Sequence, residues 1–435
     1  MSLPFREHPQ RHLVTAELHA RAYDRMQAPA RVAHLASLCG EKGTGRNVRH
    51  LKRLLRHYDR PVPDFVGQHH TEELGSIHLR WERHTEFVTY TFTQPGAFTD
   101  PFADPVLNAL PQDWLCDIPG DIVTAALVAL EPRDARERTG EDLAALFEGH
   151  PIIGSEVVGG LGRAWSALRI HSDGYSRILV QDRGLSENQA GRLIRRLLEI
   201  NAYRAMALLG LPLAREVSVC LGDADQRLVA VAARLAQQEG AQDPVLEEEL
   251  LAELTSLAAE IEAVAARTSY RFEASRAYYR VVQQRLDQLR QGRIEGFQTF
   301  TEFLDARLAP AIATCNSTSH RQQDLAERAA RLTSLLRARV EVSLQEQNRR
   351  LLESMDRRAK IQLRLQETVE GLSVIAIGYY GVGLIGYALK GLEAKGLPID
   401  AVLGMGLAMP LVVGIAWFAL KRTRKRLHRE GSEEH

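Results

Sequence analysis

Two uncharged stretches near the C-terminus constrain this chain more than any other feature. Residues 371–389 run for 19 positions without Asp, Glu, Lys or Arg, and residues 401–420 run for 20. A hydrocarbon layer of ~30 Å is crossed by about 20 helical residues, so each stretch is long enough to span. Helices of water-soluble folds keep a polar face over such lengths, and these stretches have none. The second holds nine Leu, Ile, Val or Phe residues, which together favour insertion by roughly 4 kcal/mol. The first holds eight, diluted by five glycines and three tyrosines, and its insertion is near break-even. Its Gly371, Gly378, Gly381 and Ala388 fall on one helical seam where a second backbone can approach closely. A weak span with such a seam is expected to need helix partners, including other copies of the chain.

Orientation follows from charge. The segment between the spans balances Lys390 and Lys395 against Glu393 and Asp400, whereas "KRTRKRLHR", 421–429, carries six Lys or Arg in nine residues. The positive-inside tendency places both termini in the cytosol and the short connection outside. The basic tail would lie beside anionic lipid. The start, "MSLPFREHPQRH", has no apolar core and does not read as a signal peptide. The expected topology is a membrane crossed twice.

A chain of 435 residues exceeds one core. Residues 1–205 read as a cytosolic α/β domain, 206–368 as a helical stalk region, 369–422 as a transmembrane hairpin and 423–435 as a basic cytosolic tail. In the first, "SIHLRW", "TEFVTYTF" and "DIVTAALVAL" are strand-like by β-branched and aromatic content. "WSALRIHSDGYSRILV" reads as a hairpin turning at Asp173-Gly174. Sequential strands with short turns predict an antiparallel sheet, and the class is α+β. "SENQAGRLIRRLLEINAYRAMALLG" opens with a capping box, Ser186 with Gln189, and stops near Gly210 and Pro212. A further helix starts with Asp243 as cap and Pro244 in its first turn. Its Leu250, Leu254, Leu257, Ile261 and Val264 alternate four and three apart, the seam of a coiled coil, and Tyr279, Val282, Leu286 and Leu289 repeat the spacing. From 324 to 366 there is neither Gly nor Pro, and a long polar helix feeds into the first span.

Net charge is zero, which gives no general attraction to nucleic acid. The four cysteines are far apart and fit free thiols in a reducing compartment. Among chemical motifs, His8, His12, Glu17 and His19 could bind a divalent cation if they converge, although Pro9 disfavours helix at His8. His78, Arg80, Glu82 and His84 alternate along one strand opposite Ile77, Leu79 and Trp81. That face suits ligand binding, a subunit contact or plain solvation. "GSEVVGGLGRAW" lacks the order of a phosphate-binding glycine loop, and no nucleophile elbow, H-E-x-x-H or paired-cysteine site is present. Association rather than turnover is the expected chemistry. The alternatives are a cation channel or a membrane-tethered, metal-dependent enzyme using the N-terminal histidines.

"HPQRHLVTAELHARAY", "LRWERHTEFVTYTF", "RIHSDGYSRILVQD" and "GRLIRRLLEINAYRAMALLGLPLARE" resemble the bacterial family of membrane-anchored proteins called domain of unknown function 3422. That resemblance implies a cytosolic head on an inner-membrane anchor and supplies no catalytic residues. The order of head, long helices, two spans and basic tail is also similar to CorA-type magnesium channels. These are homopentamers whose first span ends in Tyr-Gly-Met-Asn. Here Tyr380-Gly381 match, and Val382 and Gly383 stand in the next two places. A pore of that kind would have to be lined by the hydroxyls of Tyr379 and Tyr380 or the carbonyls of Gly381 and Gly383. The partners expected overall are the bilayer and further copies of the chain.

Overall fold

The computed structural model describes residues 7–11, 15, 25–40, 43–64, 66–237, 244–393 and 400–430. The chain divides into two compact units. One comprises Met1–Glu239 and Leu250–Ser334, the other Gly240–Glu249 and Leu335–His435.

The first unit is built on nine strands, β1 (Ala30–Leu38), β2 (His69–Leu74), β3 (Ile77–Arg83), β4 (Phe87–Pro95), β5 (Asp121–Glu131), β6 (Ile153–Val157), β7 (Gly162–Ser166), β8 (Ser176–Asp182) and β9 (Gly292–Arg293). They form one sheet in the order β2-β3-β4-β1-β5-β8-β7-β6-β9. The α-helices among the described residues are α1 (Thr44–His57), α2 (Gln112–Cys116), α3 (Gly140–Leu146), α4 (Glu187–Leu208), α5 (Gly210–Gln237), α6 (Pro244–Gln288), α7 (Phe300–Glu393) and α8 (Ala401–Glu430).

The three strand-like stretches of the sequence are β3, β4 and β5. The expectation of a wholly antiparallel sheet is corrected: β5 and β8 pair in parallel, Ala126 opposite Ser176 through Glu131 opposite Gln181. The physical reason is the connection. Between them the chain inserts α3 and the β6–β7 hairpin, a crossover long enough to return β8 in the same direction as β5. The hairpin expected around Asp173-Gly174 exists as the antiparallel pair β7–β8, but Ser166 faces Ile178, so the connection is a loop of 167–175. Ser166 holds its start, its Oγ donating to the Arg177 carbonyl at 2.7 Å and accepting the Leu168 N–H at 3.0 Å.

Both sheet faces are covered, and strand residues alternate between them. On one side Ala33, Leu35, Trp81, Val88, Tyr90, Phe92, Leu127, Ala129 and Leu179 pack with Leu51, Leu54 and Leu55 of α1 and with Trp114 of α2. On the other, Val32, Val128, Leu130, Ile178 and Val180 pack under Leu193, Ile194, Leu197 and Leu198 of α4, with Val282 and Leu286 of α6 and Phe300 and Leu304 of α7. The period of two along each strand decides which layer a side chain joins.

Helix α4 begins as its sequence implies, with Gln189 Oε1 accepting the Ser186 backbone N–H at 2.9 Å. Only Leu209 separates its end from the start of α5. A Cβ on Gly210 would lie 2.5 Å from Ser275 Oγ and 3.2 Å from Cys315 Sγ, so glycine lets α5 start between α6 and α7. The four–three seam of α6 is filled within the chain: Leu250, Leu254, Leu257 and Ile261 are buried. Arg227 to Glu260 at 2.7 Å and Arg234 to Glu253 at 3.2 Å tie α6 to α5, and Thr268 donates to Gln322 of α7 at 3.2 Å.

In the second unit, α7 presents exposed apolar residues through Leu351, Met355, Leu365 and Leu372. Its end and α8 pack antiparallel through glycines. A Cβ on Gly378 would meet Val413 at 3.3 Å, one on Gly381 would meet Val412 at 2.7 Å, and one on Gly404 would meet Leu389 at 2.7 Å. Three helical stretches among the described residues are long and apolar enough to cross a membrane, Glu187–Gln237, Phe300–Leu392 and Val402–Ala419. The first comprises α4 and α5, which bury Leu193, Ile194, Leu197, Val217, Leu221 and Leu228 but leave Val219 and Val229 exposed.

Candidate functional site: an arginine-lined cleft

Under α4 the sheet has a polar region instead of a greasy one. Arg80 on β3, Thr91 on β4 and His34 on β1 sit side by side in register, with Glu82 beside Thr89 in the next rung. Alternation puts these on the α4 side, while Leu79, Trp81, Val88 and Tyr90 point the other way. Helix α4 answers with Arg192, Arg195, Arg196, Glu199 and Tyr203. Their spacing of three, one, three and four keeps them on one side of a helix. A cavity of about 300 Å³ lies between, lined also by Arg83, His84 and Arg285. A narrower inner part reaches His34, Arg80, Thr89, Thr91 and Thr93.

The electrostatics are one-sided. Glu82 accepts from Arg80 at 3.1 Å and from Arg195 at 3.0 Å. Glu199 accepts from Arg195 at 2.9 Å and is also paired with Arg285 of α6. Both carboxylates are thus shared between two guanidiniums each. Among the described residues, six arginines, Arg80, Arg83, Arg192, Arg195, Arg196 and Arg285, line the two neighbouring cavities together with these two glutamates. Burial pushes the Glu82 carboxyl up, but the Arg80 hydrogen bond and the Arg195 and Arg80 charges outweigh it, and the net shift is downward.

His34 is 5% exposed. Its Nδ1 lies 2.9 Å from Thr91 Oγ1, and its buried Nε2 has no hydrogen-bond partner among the described residues. Burial lowers its pKa to about 4, with Glu82 pulling up and His84 pulling down, so it is a neutral imidazole near pH 7. His84 is held by stacking on Phe87 at 4.1 Å and by the Tyr203 hydroxyl at 3.3 Å. A threonine–imidazole pair without a carboxylate on the second nitrogen lacks the orienting member of a nucleophilic triad. What the lining offers is forked donors matched to carboxylate or phosphate oxygens.

The sequence pointed to half of this site. Of the polar β3 face, Arg80, Glu82 and His84 line the cleft, whereas His78 faces Glu73 at 2.7 Å. The α4 half was missed, although its spacing was visible in "RLIRRLLEINAY". Of the N-terminal metal candidates, His8 accepts the Gln10 N–H on Nδ1 at 3.2 Å; His12, Glu17 and His19 lie outside the described residues. Of the pore-mouth candidates, Tyr379 and Tyr380 are exposed. They border, with Gly383, an apolar groove of about 800 Å³ between α7 and α8. Of the small-residue seam, Gly378 and Gly381 touch α8, Gly371 meets nothing within 4 Å, and Ala388 is exposed. One further cluster, Glu148, His150 and His171, has the donor set of a metal site.

The class that these features define is a mixed α/β sheet covered on both faces, with an arginine-lined cleft under α4. Residues 6–427 match the sequence model of the family described as "Protein of unknown function (DUF3422)", and the chain belongs to that family. No curated protein matches it. A solved structure described as "structure of the full-length CmaX protein" is similar over 69% of this chain and 89% of that one, at 14% identity and a TM-score of 0.17. At so low a score the likeness carries no weight for fold or function.

Proposed function

We propose that this is an integral inner-membrane protein whose cytosolic head binds a small anionic ligand in the arginine-lined cleft. The reading rests on the concentration of guanidinium groups that line the cleft, forked donors that match carboxylate or phosphate oxygens. Anchoring is supported by α7 and α8, which approach each other at glycines and turn exposed apolar side chains outward. Self-association is supported by exposed Leu344, Leu351, Met355, Leu365, Val369 and Leu372, separated by seven, four, ten, four and three, a heptad-like line running into the first span. The chemistry is recognition without turnover, the termini are cytosolic, and nucleic acid is no partner.

The test is calorimetric titration of the detergent-solubilised chain with inorganic pyrophosphate and with citrate, choline serving as cationic control. One anion should bind with 1:1 stoichiometry, and Arg192→Ala and Arg196→Ala should each weaken it about tenfold, the effect of one charge-assisted hydrogen bond. Binding unaffected by both substitutions, or no binding of either anion, would overturn the cleft as the site. Conduction of divalent ions by liposome-reconstituted protein would instead support the channel reading.

A further inference from the structure

We propose that Glu148, His150 and His171 form a binding site for a divalent first-row transition ion of the zinc type, on the first unit and separate from the cleft.

Two segments build it. Helix α3 ends at Leu146, and the chain reverses through Glu148 and Gly149 at φ 53° and 72°. The Gly149 N–H donates to the Ala144 carbonyl at 2.8 Å and that of His150 to Phe147 at 3.0 Å, which fixes the turn. The β7–β8 loop supplies His171, whose N–H donates to the Tyr175 carbonyl at 2.9 Å. Glu148 fastens the two together: its Oε2 accepts the Ser172 N–H at 3.0 Å and its Oε1 the Ser172 hydroxyl at 2.6 Å.

The donor atoms of all three residues lie within 4.8 Å of one another. His171 is 4% exposed, and among the described residues neither of its buried ring nitrogens has a hydrogen-bond partner. A buried imidazole in that state is unusual, because each unsatisfied group carries its full desolvation cost. His171 Nδ1 points toward Glu148 Oε2 at 3.5 Å, and the His150 ring centre is 5.4 Å from that of His171. A tetrahedral ion with ligands at about 2.0–2.1 Å needs donors about 3.3 Å apart, so turning the half-buried His150 side chain inward completes the set.

Charge permits a cation there. Arg177 lies 3.2 Å from Glu148 Oε1, but it is also paired with Asp173 at 2.8 Å, leaving the three groups net negative by one. Arg177 holds Oε1, so Oε2 is the oxygen left on the His171 side. Two imidazoles and one carboxylate select zinc, copper, nickel or iron over magnesium or calcium, which prefer oxygen sets. Three protein ligands beside an exposed carboxylate leave room for water on the ion. Closing the site would tie the 167–175 loop to the end of α3.

The experiment uses the full chain in detergent, stripped with chelator and titrated with Zn²⁺ alone. Co²⁺ absorption in the visible range reports the ligand field. One equivalent of Zn²⁺ should bind per chain, and His150→Ala and His171→Ala should each weaken it at least a hundredfold and abolish the Co²⁺ bands. Replacing His8, His12 and His19 together by alanine should leave that equivalent in place, which separates this site from the N-terminal histidines. Should His171→Ala fail to fold, the half-buried His150→Ala decides. Zn²⁺ binding that is absent in the unaltered chain, or undiminished in His150→Ala, would overturn the site.

Discussion

At the scale of single residues, His34 shows what the cleft asks of the sheet. A buried imidazole without a partner on Nε2 stays neutral, with pKa about 4 against an ordinary 6.5. Above pH 6.5 the folded and unfolded states are both neutral at this position. Between 6.5 and 4 the unfolded chain takes a proton that the folded chain refuses, so stability falls as the pH drops. The full loss is about 3 kcal/mol for one such histidine. Glu82 and His84 are the charged groups that face it, and they act in opposite directions. His50, stacked on Trp114 at 4.3 Å, is lowered to about 4 in the same way, again chiefly by burial. Unfolding midpoints followed by tryptophan fluorescence should therefore drop steeply below pH 6.5, and His34→Gln should remove roughly half of that slope. An unchanged slope in His34→Gln would show that another group carries the acid sensitivity.

At the scale of elements, the α7–α8 pair has a contact that can be tested one methyl at a time. A Cβ on Gly381 would lie 2.7 Å from Val412, whereas one on Gly383 meets nothing within 4 Å. Gly381→Ile should destabilise the pair by about 1–3 kcal/mol, the usual cost of overpacking. Gly383→Ala should be neutral or slightly stabilising, since alanine favours helix. Helical signal on heating in micelles distinguishes the two. The same helices show what was legible beforehand. Long apolar runs, the Ser186–Gln189 cap and the strands 77–83, 87–95 and 121–131 could be read because each is decided by neighbours in sequence. Strand β1 was not, although it is an interior strand of the sheet, between β4 and β5. "ARVAHLASL" is buried on both faces, so it lacks the alternation that marks a half-exposed strand. The parallel β5–β8 pairing was hidden for a related reason: it depends on where a crossover returns, which no local pattern records.

At the scale of the molecule, the heptad-like line of exposed apolar residues on α7 predicts more than one chain per particle. The mass in detergent, after subtraction of bound detergent, should be a whole multiple above one of the chain mass. A monomer would remove the self-association reading. The cleft was half visible because β3 alone announced its polar face, while the α4 arginines gain meaning only once the fold sets them opposite it. Their arrangement has one more consequence. Glu199 is the common partner of Arg195 on α4 and Arg285 on α6. A guest anion drawing either guanidinium to itself unties the knot between the two helices, so occupancy of the cavity and the looseness of its wall are a single variable.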